Sequence, residues 1–150
     1  MKKTALHVLL AEDNPNDVRV FNNALSARDD RALFKPYFVR DGGAVLDFLG
    51  KRDGSESAER PDLVVLNLNM PALNGMDVLR YMKDDPDLRG IPAVIWTISE
   101  REEDIRRSFD LGAQGYFVKP IDVPEMEAQV NAILTWLRWA YLNIYVKPRS

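Results

Sequence analysis

At 150 residues the chain is long enough for one domain with its own core, and 46% hydrophobic with 29% charged residues is the balance of an ordinary soluble globular protein. A formal charge of −3 supplies no basic field for nucleic acid or an anionic membrane, and no apolar run approaches the roughly 20 residues that span a bilayer. With no cysteine and one histidine, the chain lacks disulfides, thiolate catalysis and the usual zinc ligands. The basic start, Met1-Lys2-Lys3-Thr4, does not lead into a signal peptide, because Glu12 and Asp13 interrupt the short apolar run behind it; a cytoplasmic protein is expected.

Leu6 to Ala11 is a continuous apolar run of strand length. Asn14 and Pro15 then supply an N-cap and a first helical position, and the helix carries Val18, Phe21 and Leu25 on one face. Phe34 to Val39 reads as a second strand, placed at an edge by Pro36, which cannot donate to a ladder. A short helix with Val45, Leu46 and Leu49 as its apolar face follows, then a polar loop from Gly50 to Arg60. Leu63 to Leu66 is the third strand, and Gly75 opens a helix bearing Val78, Leu79 and Met82. Ala93 to Trp96 is the fourth strand, Glu100 to Leu111 a charged helix with Ile105 and Phe109 inward, and Gly115 to Val118 the fifth strand. A last helix runs from about Pro124 to about Tyr141 with Met126, Val130, Ile133, Leu134 and Leu137 at core spacing.

Strands alternating with helices imply an α/β fold, a five-stranded parallel sheet covered on both faces, which continuous apolar strands suit. Of the doubly wound orders, the flavodoxin-like 2-1-3-4-5 sets the first and third strands side by side, and ligands of such sheets bind outside the carboxyl ends of the strands. Glu12, Asp13, Asn67, Thr97 and Lys119 fall at those ends. Each alone is ordinary: an acid pair at a strand end is usually a solvated terminus, a threonine a good strand residue, a lysine before proline a surface turn. Together they suit a hard divalent cation and phosphoryl oxygens, which take carboxylates, a point charge and a hydroxyl donor. His7, in mid-strand, reads as a satisfied structural position.

The segments Leu9-Leu10-Ala11-Glu12-Asp13-Asn14, Pro61 to Pro71, Asn74-Gly75, Pro92 to Thr97 and Gly112 to Pro120 resemble the receiver domain of two-component response regulators. The polar loop before Pro61 and the Trp136-Leu137 region are similar to regulators paired with bacterial phytochrome kinases. The resemblance covers roughly residues 5–140. It implies a receiver domain over 5–141 and a C-terminal arm over 142–150, loose or draped on a partner from Val146. It implies Mg²⁺ held by Glu12, Asp13, position 67 and the Asn69 carbonyl, with Asp13 the direct ligand. Thr97 and Lys119 would meet a phosphoryl group, Tyr116 would report activation by its rotamer, and the bond to Pro120 would be cis. Position 67 would be the aspartate that takes phosphate from a kinase histidine.

Asn67 departs from that pattern, and an amide is no nucleophile. A natural pseudo-receiver and an Asp-to-Asn variant account for it equally in kind. A third reading, another acceptor, is weaker: Asp62 begins the same strand and lies far from the Lys119 end, and Asp13 is needed for the metal. With two acids instead of three, the expectation is a less strained pocket, weaker Mg²⁺ binding, and an Asn67 side chain that donates to Glu12 or Asp13 or accepts from Lys119. The function implied is a single-domain response regulator of a phosphorelay, not an enzyme, docking to a sensor histidine kinase such as a bacteriophytochrome; a Mg-dependent phosphohydrolase on the same fold is the alternative. No DNA-binding helix-turn-helix pattern follows the fifth strand. Trp136, Trp139 and Tyr141 lie off the core stripe of the last helix and suggest a homodimer face.

Overall fold

Five parallel strands form one sheet in the computed structural model, which describes residues 5–50 and 60–145. They are β1 (Leu6–Ala11), β2 (Phe34–Val39), β3 (Leu63–Leu66), β4 (Ala93–Thr97) and β5 (Gly115–Val118), in the order β2-β1-β3-β4-β5 expected from the sequence. Helices α1 (Pro15–Ser26), α2 (Gly42–Gly50), α3 (Gly75–Asp84), α4 (Glu102–Asp110) and α5 (Val123–Tyr145) alternate with them. Pro36 lies on the edge strand, as its missing N–H requires. The expected polar loop at 50–60 falls almost wholly outside the described residues.

Alternation along each strand splits the core into two layers. Leu9, Ala11, Val64, Leu66 and Ile95 pack with Val45, Leu49, Val78, Leu79 and Met82 of α2 and α3. Val8, Leu10, Val65, Val94 and Trp96 pack with Phe21 and Leu25 of α1 and with Met126, Val130, Ile133, Leu134 and Leu137 of α5. Burial on both faces is why the central strands β1, β3 and β4 read as near-continuous apolar runs, whereas the edge strand β2 carries the exposed Lys35. His7 is satisfied, stacked on Tyr37 with Nδ1 2.9 Å from its hydroxyl. The Arg28 guanidinium ties the end of α1 to α5 through the Asn131 carbonyl and side chain, and beside it holds the Asp30 carboxyl below the usual range.

Four local expectations need correction. Phe109 is exposed; the inward line of α4 passes through Ser108, which is fully buried and 3.9 Å from Met76 Sδ, so Ile105 is only half-buried. Leu46 is half-buried, and Phe48 packs on Tyr37 at a ring separation of 5.1 Å. The last helix continues to Tyr145, because Leu142, Asn143 and Ile144 contain no breaker and the next proline is Pro148. Tyr141 is half-buried, not part of an open face: its hydroxyl donates to Asp62 Oδ1 at 2.7 Å. No helix among the described residues is long and apolar enough to cross a membrane.

Candidate functional site

The carboxyl ends of β1, β3, β4 and β5 are stitched together by backbone hydrogen bonds. Asn67 N–H donates to the Ala11 carbonyl at 3.1 Å and Lys119 N–H to the Thr97 carbonyl at 2.7 Å. Glu12, Asn67, Thr97 and Lys119 are buried there, while Asp13 and Asn69 are exposed at the mouth. The chain past β3 returns as α3 through Gly75, whose N–H donates to the Leu68 carbonyl. A Cβ at Gly75 would collide with the Asn67 carbonyl oxygen, which is backbone and cannot swing aside. Gly75→Ala is expected to cost about 1–3 kcal/mol as overpacking, read as a lower urea midpoint at unchanged slope.

Asn67 donates to the acids. Its Nδ2 lies 3.0 Å from Glu12 Oε2, 3.4 Å from Asp13 Oδ1 and 3.4 Å from the Asn69 carbonyl, so the first bond is good and the other two are long. Its Oδ1 accepts from Asn69 N–H at 3.3 Å. Acceptors at one end and a donor at the other define which end of the amide is which.

Lys119 does not turn to Asn67. Its ammonium donates to Glu12 Oε1 at 2.6 Å and to Asp17 Oδ2 at 2.7 Å, and it sits 4.8 Å from the centre of the Trp96 ring. The Trp96 indole donates to Gln129 Oε1 of α5 at 3.0 Å, and Gln129 Nε2 donates to the Val118 carbonyl at 2.6 Å. Burial pushes the Glu12 carboxyl above its ordinary range, and Lys119 is the strongest opposing influence. Thr97 Oγ1 accepts a long bond of 3.4 Å from Ser99 N–H, and the Tyr116 hydroxyl donates to the Ser99 carbonyl at 2.8 Å, so both β4–β5 positions meet at the loop after β4. The Lys119–Pro120 bond is trans, not the cis bond that the resemblance implies; trans is the lower-energy isomer of an X–Pro bond by about 0.5–1 kcal/mol, and the lysine reaches both acids from it.

Asp17, Trp96 and Gln129 join the site without a sequence signal of their own. Asp17 stands three residues after the Asn14 N-cap and reads as a helix-start acid; Trp96 reads as core.

Two carboxylates and a backbone carbonyl, converging on one point, are hard oxygen donors of the kind Mg²⁺ takes alongside water. Among the described residues no third acidic or histidine side chain completes the group, and the amide nitrogen of Asn67 faces the place a cation would take. The donor set fits a divalent ion, at one negative charge fewer than three acids would give.

Residues 8–131 match the family model described as the response regulator receiver domain. The chain belongs to that family. As a receiver it is 34% identical over 132 residues to response regulator Rcp1 of Synechocystis sp., covering 87% of this chain and 88% of Rcp1. The structure of Mn²⁺-bound Rcp1 superposes with a TM-score of 0.80 at 33% identity, over 88% of this chain and 94% of that one. The phosphorylated cyanobacterial phytochrome response regulator RcpA superposes at 0.82 and 32% identity, over 89% and 94%. The bacteriophytochrome response regulator RtBRR superposes at 0.68 and 31% identity, over 87% and 78%. The fold is the flavodoxin-like receiver fold, and the receiver relatives are signalling proteins of two-component systems.

Proposed function

We propose that this receiver signals by docking to partner proteins in a phosphorelay, with Asn67 at the phosphoacceptor position and no aspartyl phosphate formed on the chain as it stands. The observation that carries the reading is the Asn67 side chain itself. It lies at the end of β3 beside Glu12 and Asp13, with its nitrogen committed to Glu12 at 3.0 Å. An amide there offers neither the nucleophile nor the charge that phosphoryl transfer needs. Glu12, Asp13, Asn67 and the Asn69 carbonyl are the proposed Mg²⁺ ligands, binding weakly. Thr97, Tyr116 and Lys119 are the proposed phosphate-contact and switch positions. Residues 5–141 are the proposed receiver unit, and the proposed setting is the cytoplasm.

The partner class is a sensor histidine kinase, with a bacteriophytochrome favoured by the phytochrome regulators among the relatives. A phosphohydrolase would need a nucleophilic carboxylate where Asn67 stands, so the chain is read as no enzyme; hydrolysis of p-nitrophenyl phosphate with Mg²⁺ would reverse that. Incubation with acetyl phosphate and Mg²⁺, followed by intact-mass measurement, tests the main reading. Asn67→Asp is expected to gain one phosphoryl group and the unaltered chain none. Labelling of the unaltered chain, or of neither form, would sink the reading.

Trp136 and Trp139 are 41% and 64% exposed on α5, large aromatic surface of the kind that interfaces bury. A homodimer through this face is proposed, without Tyr141 as an open contact. Light scattering is expected to give twice the chain mass and Trp139→Arg to return it to the monomer; a monomer at high concentration before substitution argues against the dimer.

A further inference from the structure

The structure assigns Asp17 as the positioning residue of Lys119: from the first turn of α1 it holds the lysine ammonium away from Asn67. Two helix starts in this chain have the same spelling, Asn-x-x-Asp, and their comparison shows what Asp17 does. At α3 the motif closes on itself. Asn74 N–H donates to Asp77 Oδ2 at 3.2 Å and Asp77 N–H to Asn74 Oδ1 at 2.9 Å, a reciprocal capping box.

At α1 it does not close. Asn14 N–H donates to Glu12 Oε2 at 3.1 Å, and Asn14 Oδ1 accepts from Asn16 N–H at 2.9 Å. Both capping tasks are met without Asp17, and its carboxylate is spent on Lys119 at 2.7 Å. The side chain of Lys119 is 2% exposed and that of Asp17 13%, so the contact is largely shielded from water. A surface pair would be worth little; this one is charge-assisted and placed against a buried ammonium.

The lysine is thus seated on three sides, by Glu12, Asp17 and the face of Trp96. Asn67 contributes none of them. With a neutral amide at the end of β3, Asp17 supplies the second negative charge that a buried lysine beside Glu12 can use. An anion arriving at position 67 would have to compete with Asp17 for Lys119.

Trp96 reports the seat. With Trp136 and Trp139 changed to Phe, it is the remaining one of three tryptophans, and a cation over its ring alters its emission. In that chain Asp17→Asn is expected to shift Trp96 emission, and Asp17→Glu, which keeps the charge, to preserve it. In a Lys119→Met background Asp17→Asn is expected to leave Trp96 unmoved, a result that a purely helix-stabilising acid would not give. If Asp17→Asn fails to fold, Asp17→Ser takes its place: shifted Trp96 emission supports the assignment and unmoved emission overturns it. Emission indifferent to Asp17→Asn, a defect that Asp17→Glu shares, or an effect that persists without Lys119 overturns it.

A second arm rests on the reading of position 67 as the phosphoacceptor. In Asn67→Asp with Mg²⁺, adding Asp17→Asn is expected to raise the rate of acetyl phosphate labelling roughly tenfold, since one charge-assisted bond no longer holds the lysine back. An unchanged or slower rate counts against Asp17. No labelling of either form sinks the acceptor reading instead, and leaves the Trp96 measurement to decide on Asp17.

Discussion

Replacing Lys119 with methionine is expected to lower stability by about 3–5 kcal/mol at neutral pH, the cost of removing one partner from a buried ion pair. The side chains of Lys119 and Glu12 are 2% and 0% exposed, and their contact is 2.6 Å. Methionine fills the space but leaves the Glu12 carboxylate buried against Asn67 and Asn14 donors alone, both neutral. The loss should depend on pH, and its sign follows from Glu12. Burial already raises the carboxyl above 4.5 in the folded chain while Lys119 pulls it down, so without the lysine it rises further. A group whose folded pKa is raised contributes stability that is fully present below its unfolded pKa and is lost as pH rises through the folded one. The variant is therefore expected to approach the parent as pH falls towards about 4.5 and to diverge from it as pH rises. Urea unfolding of both chains at several pH values measures this. A loss under about 1 kcal/mol, the value of an exposed pair, or one independent of pH would mean that Glu12 does not depend on Lys119.

That dependence was only partly legible in the sequence. Leu63–Leu66 announces a buried strand because nothing polar interrupts it, Leu6–Ala11 does so with His7 as its one polar residue, and Pro36 marks the edge because it lacks a donor. Once the strands are parallel, Glu12, Asp13, Asn67, Thr97 and Lys119 must share one rim, so topology alone assembles the site. Partner choice within the rim is different. Asn14-x-x-Asp17 and Asn74-x-x-Asp77 have the same local signal, and only the neighbours across the fold separate them: Glu12 takes the Asn14 N–H and Lys119 takes Asp17. Trp96 is hidden for a related reason. An aromatic in a strand is ordinary core, and its second task follows from a lysine just past the end of the next strand that no periodicity reveals. Phe109 fails in the opposite way. An aromatic outweighs a serine in any hydrophobic pattern, yet the geometry of α4 buries Ser108.

Asn67→Asp is expected to destabilise the chain without metal and to gain from Mg²⁺ what the parent does not. The substitution removes the donor 3.0 Å from Glu12 Oε2 and 3.4 Å from Asp13 Oδ1 and puts an acceptor in its place. Three carboxyl groups then face one another, and Glu12 loses a hydrogen bond while keeping its burial. The expected cost is roughly 1–3 kcal/mol at neutral pH, the penalty for a buried polar group deprived of its partner. Lys119 offsets only part of it, being held by Glu12 and Asp17. A divalent cation relieves the same repulsion, so the added carboxylate should tighten Mg²⁺ binding relative to Asn67, and binding to the folded form alone should return about 2.7 kcal/mol at a hundredfold excess over Kd. Titration calorimetry with Mg²⁺, beside urea midpoints with and without the ion, separates the two effects. Equal Mg²⁺ affinity in the two chains would mean that position 67 is not a ligand, and the proposed cation site would then reduce to Glu12, Asp13 and the Asn69 carbonyl. Tighter binding without any loss of metal-free stability would mean that Lys119 leaves Asp17 for the new carboxylate, because no other cationic side chain bonds to the pocket acids among the described residues.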